Sequence, residues 1–226
     1  MEAARQLIEE IRHDLRPVAE RLQTHPYVQA LAEGRIARQR LRLFAGEQYH
    51  ITGSDLRSLA LLAARYGGSP SGDFFLGALK GEEEARRALL AFSAALGLTE
   101  GELAAYEPRP DAQAYAAYVA WLALYAADAA VAAAFLVNFP AWGANCGRMA
   151  RALKEKYGLV ETALAFFQMF AEPSAEFEEA ALAIVAHGLQ RGVAAGEVRR
   201  AARLLQAYEL MFWDAVYKAS LPDLSP

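Results

Sequence analysis

The chain has 226 residues, 55% of them hydrophobic and 22% charged, and a net charge of −4. That is enough apolar material for a sizeable core, which excludes a disordered chain, and the acidic balance argues against nucleic acid as the main partner. A single cysteine, Cys146, excludes an intramolecular disulfide, and the start MEAARQLIEEIRHDLRP is charged and amphipathic rather than a signal or a span, so the sequence predicts a cytoplasmic protein with no membrane partner.

Helical periodicity runs through nearly every segment, and no segment shows the apolar–polar alternation of a strand. A first helix is predicted from about Ala3 to Gln23, bent near Pro17. Pro26 opens a short second helix that Gly34 stops. A long third helix spans about Arg35 to Tyr66 and ends at Gly67-Gly68-Ser69-Pro70. Helices over Asp73–Lys80 and Glu82–Leu96 follow, and then a Pro-rich connection, Glu107 to Asp111. Further helices cover Ala112–Ala127, Ala129–Tyr157 (adjusted at Pro140), Val160–Phe170, Ser174–Arg191 and Ala195–Lys218. The longest apolar run, Ala129 to Phe135, is too short to cross a bilayer. With no flexible linker and no internal repeat, the expected architecture is one all-α domain over residues 1–226.

One position stands out in the last helix. Leu205, Glu209, Phe212 and Val216 recur at helical spacing, so a carboxylate interrupts an apolar stripe. An ionised carboxylate there is costly unless it is paired, hydrogen-bonded or protonated. Glu209 reads either as a buried structural group bonded to a Tyr or Trp, or as a general acid/base whose burial brings its titration near neutrality.

The third helix offers a second carboxylate. Leu43, Glu47, His50 and Ser54 share one stripe, with Gly46 and Gly53 mid-helix, where each costs about 1 kcal/mol relative to Ala. Close approach of a neighbour or a ligand would account for both glycines. Glu47 and His50 read either as a surface pair or as site groups. Asn138, Trp142 and Asn145 share another face, with Cys146 one position off it. A lone helical Cys is more often a small buried hydrophobe than a nucleophile. Tyr115, Tyr118, Trp121 and Tyr125 form an aromatic stripe, and the ten Tyr and three Trp of the chain suit either core packing or a pocket for a flat, nitrogen-rich ligand. A metal centre would have to use Glu47, His50 and His187. No phosphate loop, GxSxG or CxxC is present. The basic cluster Arg35, Arg38, Arg40 and Arg42 reads as a solvated face.

Three blocks carry a resemblance: His25-Pro-Tyr-Val-Gln-Ala-Leu-Ala-Glu-Gly34, Phe44-Ala-Gly-Glu-Gln-Tyr-His-Ile51 and Tyr208-Glu-Leu-Met-Phe-Trp-Asp-Ala-Val-Tyr217. Together the sequence resembles the TenA/thiaminase II family, within the heme-oxygenase-like, all-helical superfamily that includes the pyrroloquinoline-quinone synthase PqqC. The resemblance implies a single heme-oxygenase-like bundle, a homodimer or homotetramer, no cofactor, and a small flat heterocycle such as a pyrimidine as ligand. Family members hydrolyse the aminopyrimidine product of thiamine breakdown, or thiamine itself, with a Cys nucleophile, an orienting Asp, several Tyr and a late Glu.

By that resemblance Glu209 stands on the late catalytic Glu, Glu47 on the Asp and His50 on a Tyr. Tyr118, or Tyr115, matches a pocket Tyr, and Trp142, Asn138 and Phe166 are further candidates for substrate contact. The chain departs at the nucleophile. Aligned on Trp142, the family's Pro-Cys-x-Trp-x-Tyr pattern puts Pro140 at the Cys and Ala144 at the Tyr. Cys146 is six residues later, about 9 Å along a helix. Ala163, Phe166 and Phe167 stand where a later Tyr is expected. The resemblance thus implies an aminopyrimidine hydrolase that uses Glu209 and Glu47 without the Cys. Alternatives are a non-catalytic binding homologue or a non-heme metal oxygenase, although Glu82-Glu-Glu-Ala-Arg-Arg87 lacks the His that the latter would want.

Overall fold

A computed structural model describes residues 1–172 and 174–221. Among them are eleven α-helices and no strand: α1 (Glu2–Asp14), α2 (Arg16–Gln23), α3 (Pro26–Ala32), α4 (Leu41–Arg65), α5 (Pro70–Ala95), α6 (Glu100–Ala104), α7 (Pro110–Tyr125), α8 (Asp128–Tyr157), α9 (Glu161–Ala171), α10 (Ala175–Gln190) and α11 (Ala195–Ser220).

The boundaries follow local chemistry. Pro17 breaks the expected first helix outright at Leu15, giving α1 and α2. The long third helix starts at Leu41 rather than Arg35, after a 3₁₀ turn at Arg38–Arg40. Residues 73–95 form no pair of helices. They belong to one, α5, whose N-cap Ser69 accepts from the amide of Gly72 and whose Pro70 sits in the first turn. Gly81 passes inside it. No helix is predicted where the short α6 lies, although Thr99 and Glu102 form a capping box that marks its start. Helix α8 runs on through Pro140 and stops at Gly158, in the left-handed conformation that glycine tolerates (φ 64°).

Helix α8 is the centre of the bundle. By length and composition it could cross a membrane, but 78% of its apolar window is buried inside the protein, as in a core helix. It packs on α9, α10 and α11. The contacts α4–α5, α5–α9, α9–α8, α8–α11, α11–α7 and α7–α4 close a ring of six helices. At one level the ring is filled by aromatics: Phe44 contacts the rings of Tyr27, Phe92, Phe166, Phe167, Phe212 and Trp213 at centroid distances of 5.5 to 6.4 Å. Such edge-to-face and offset pairs add specificity to the burial of large apolar areas. Beside this packed layer the ring leaves a hollow.

Candidate active site

The hollow has a volume of about 70 Å³ and takes wall residues from all six ring helices. Helix α4 contributes Gln48, Ile51 and Thr52, α5 Glu82, α7 Tyr115, α8 Asn138, Phe139 and Trp142, α9 Phe166 and Phe170, and α11 Glu209 and Phe212. At roughly 10–15 Å³ per water, this space holds a few waters or, in their place, one small ring. Its walls are mostly aromatic with a few convergent polar groups, the usual character of a small-molecule site.

Glu209 is the best-defined polar group. It is 2% exposed. Trp213, one turn along α11, donates Nε1–H to Oε1 at 2.9 Å, and Asn138 of α8 donates Nδ2–H to Oε2 at 2.5 Å. On its other side, the Asn138 amide oxygen accepts from the Tyr115 hydroxyl at 3.4 Å. Burial raises the Glu209 pKa, the two hydrogen bonds pull it back, and the balance leaves it at about 7. The carboxyl therefore exists in both forms near neutral pH, which general acid–base work requires.

A second carboxyl borders the same hollow. Glu82 of α5 is pushed to about 7 by burial, against the pull of Arg86 one turn further on. Asp55 of α4 is near enough to feel the Glu82 charge, and burial raises it well above the carboxylate range. Its Oδ1 is buried without a hydrogen-bond partner. Tyr115, half-buried at the cavity wall, has its pKa raised first by desolvation and then by Asp55, Glu209 and Glu82 together. Asp55 and Glu82 escaped the sequence reading. Both lie in strongly polar stretches, ITGSD and EEEARR, where one inward-facing acid gives no visible interruption of an apolar stripe.

Of the residues singled out by sequence, Glu209, Tyr115, Asn138, Trp142 and Phe166 come together around the hollow. Glu47, His50, Tyr118 and His187 do not. Glu47 is fully buried, but its carboxylate is consumed by the first turn of α7 and the chain ahead of it: it accepts from Tyr106 Oη (2.8 Å), the Arg109 backbone amide (3.0 Å) and Gln113 Nε2 (2.7 Å). The Arg109 guanidinium lies 3.6 Å away. His50 is 3.0 Å from the Tyr106 carbonyl. Gly46 explains the geometry, because a Cβ there would come within 2.6 Å of the Tyr106 ring. Gly53 likewise faces Arg86 Nη1. A one-residue rotation about α4 thus gives the hollow Gln48, Ile51 and Thr52 in place of Glu47 and His50.

Tyr118 stacks on Trp121 and meets Tyr208 on the outer surface of α7 and α11. His187 is exposed on α10. Glu47, His50 and His187 therefore fail to converge as metal ligands, and among the described residues no group of three or more His, Cys, Asp or Glu side chains is placed to hold a metal. Cys146 is fully buried, and burial pushes its thiol well above its ordinary range, with the Glu209 charge acting in the same direction. A thiol in that state is a packing group, not a nucleophile.

The model of the TENA/THI-4/PQQC family matches residues 12–219. No curated protein matches. Among solved structures, a TenA homologue from Pseudomonas syringae pv. tomato is 16% identical, with 93% of this chain and 92% of that one covered and a TM-score of 0.78. A TenA homologue from Pyrococcus furiosus is 20% identical, covering 93% and 100%, with a TM-score of 0.73. A domain with a heme oxygenase-like fold from Shewanella denitrificans is 15% identical, covering 93% and 91%, with a TM-score of 0.74. At these identities the likeness shows a shared fold, and it agrees with the all-helical ring.

Proposed function

The chain belongs to the TENA/THI-4/PQQC family, and on that footing we propose that it is a TenA-like hydrolase that cleaves an exocyclic C–N bond of an aminopyrimidine with Glu209 as a proton-transfer group. The observation that carries this reading is a carboxyl at the wall of an aromatic cavity, hydrogen-bonded by Trp213 and Asn138 and raised by burial, against those two bonds, to about 7. A pyrimidine ring stacks among Trp142, Phe166, Phe170 and Phe212. Glu209, as carboxylate, takes a proton from water while the water oxygen bonds to the exocyclic carbon, the C–N bond breaks and the departing nitrogen takes up a proton. The products are a hydroxymethylpyrimidine and ammonia. Water attacks directly, because Pro140 stands at the family's nucleophile position and Cys146 is a buried thiol.

Binding without turnover is the competing reading, favoured by the missing nucleophile. Incubation of purified protein with the aminomethyl pyrimidine separates the two. The hydrolase reading expects ammonia and hydroxymethylpyrimidine in equal amounts. Ligand-dependent thermal stabilisation with no product identifies a binding protein instead.

A further inference from the structure

Hydrolytic release of ammonia from a neutral amine moves two protons. Water gives one up as its oxygen bonds to carbon, and the departing NH₂ takes one to leave as ammonia. Glu209 cannot do both at the same moment. Glu47, the sequence candidate for a second acid, is held by Tyr106, Arg109 and Gln113 away from the cavity. The cavity wall does hold another carboxyl, Glu82, brought in by α5 from a different side of the helix ring than Glu209 on α11.

We propose that Glu82 is the second proton-transfer group of this cavity, donating to the leaving nitrogen while Glu209 accepts from water, and that Asp55 is the residue that positions and tunes it. The inference rests on the hydrolase reading above. Asp55 comes from α4, which packs along α5, and its buried, unpartnered Oδ1 leaves an acidic group with no structural hydrogen bond to justify that atom. Two neighbouring, half-buried carboxyls do not both ionise readily, so the pair retains a proton where a lone carboxyl would have lost it. The charged and titratable groups around Glu82 are Asp55 on α4, Arg86 on its own helix, Tyr115 from α7 and Glu209 from α11. Helix α9 contributes the uncharged Phe166 and Phe170. Two carboxyls that titrate near neutrality in one chamber supply one acid and one base at the same pH.

The test is ammonia release measured across pH for the wild type, Glu82→Gln, Glu82→Asp and Asp55→Asn, with thermal melts of each. Glu82→Gln is expected to lower kcat about a hundredfold or more, the usual worth of a general acid, with KM nearly unchanged and the alkaline limb of the profile gone. Glu82→Asp restores part of kcat and both limbs. Asp55→Asn removes the carboxyl with which Glu82 shares a proton, so the last proton leaves the site, and the alkaline limb falls, at lower pH. If Glu82→Gln melts below the assay temperature, Glu82→Asp decides: a lowered kcat with both limbs kept supports the role, and an unchanged kcat overturns it. A wild type that turns over beside an undiminished Glu82→Gln overturns the role of Glu82 alone. An unmoved limb in Asp55→Asn overturns the part given to Asp55. A wild type that releases no ammonia sinks the hydrolase reading, and this role with it.

Discussion

Asn138 places its amide nitrogen 2.5 Å from Glu209 Oε2 while its amide oxygen receives the Tyr115 hydroxyl, so a single α8 side chain ties α7 to the buried carboxyl of α11. The bond to Glu209 favours the charged form and opposes the effect of burial.

Replacing Asn138 with Ala deletes that donor, and the Glu209 pKa then rises above its present value of about 7. A hydrogen bond to a charged group is worth about 1.5–3 kcal/mol, which corresponds to one pKa unit or somewhat more. The limb of the pH–rate profile on which Glu209 must be ionised is expected to move up by about one unit. Rate measurements over the neutral range check this, and an unmoved limb removes Asn138 from the account.

The same carboxyl links folding to pH. Its folded pKa lies above its unfolded value, so between about 4.5 and about 7 the folded state keeps a proton that the unfolded chain has lost. The stability contributed in this way is fully present below that window and is lost as pH rises through it. Glu209→Gln removes the titration. The stability of the variant relative to wild type is therefore expected to climb from acid to neutral pH and then level off, by up to about 3 kcal/mol for the full shift, and its melting temperature to follow. Paired thermal melts at several pH values read it directly, and a constant difference contradicts it.

Glu47 has a structural role here, and its substitution is expected to affect stability rather than chemistry. Glu47→Ala leaves the Tyr106 hydroxyl, the Arg109 amide and the Gln113 amide without their acceptor, at a cost of about 1–3 kcal/mol, as for donors left unsatisfied. Glu47→Gln keeps the shape and part of the bonding, and costs less. Denaturant unfolding measures both. In the folded Gln variant kcat should stay within a factor of about three of wild type, well short of the 10²–10⁴ of a lost acid or base.

How much of this was visible in the sequence differs by residue. The helical period of the core and the interruption of an apolar stripe by Glu209 were both legible, because each is a pattern along one helix. The rotation of α4 was not. Glu47 and Gln48 are adjacent, and which of them faces the hollow depends on the Tyr106 ring seated against Gly46 and on the start of α7, 62 residues after Glu47 in the chain. Asp55 and Glu82 were hidden for a related reason. They become a pair only when α4 packs on α5, and each sits among polar neighbours that conceal an inward-facing acid. The family resemblance carried Glu47 over by position and could not register that turn.

Cys146 supplies a simple control. Its buried thiol is expected to resist alkylation in the native protein, and Cys146→Ala should turn over like wild type with a small loss of stability, about 1 kcal/mol for the vacated volume. Inactivation by a thiol reagent in step with modification of Cys146 contradicts direct attack by water.

The central claim is that Glu209 exchanges a proton near neutrality inside the cavity. The most direct measurement is the infrared carbonyl band of the un-ionised carboxyl, taken as the difference between wild type and Glu209→Gln and followed across pH, with and without the aminomethyl pyrimidine. The expected band is present in acid, lost with a midpoint of about 7, and displaced when the pyrimidine binds. A Glu209 that is fully ionised at pH 5, or a band indifferent to the pyrimidine, contradicts it.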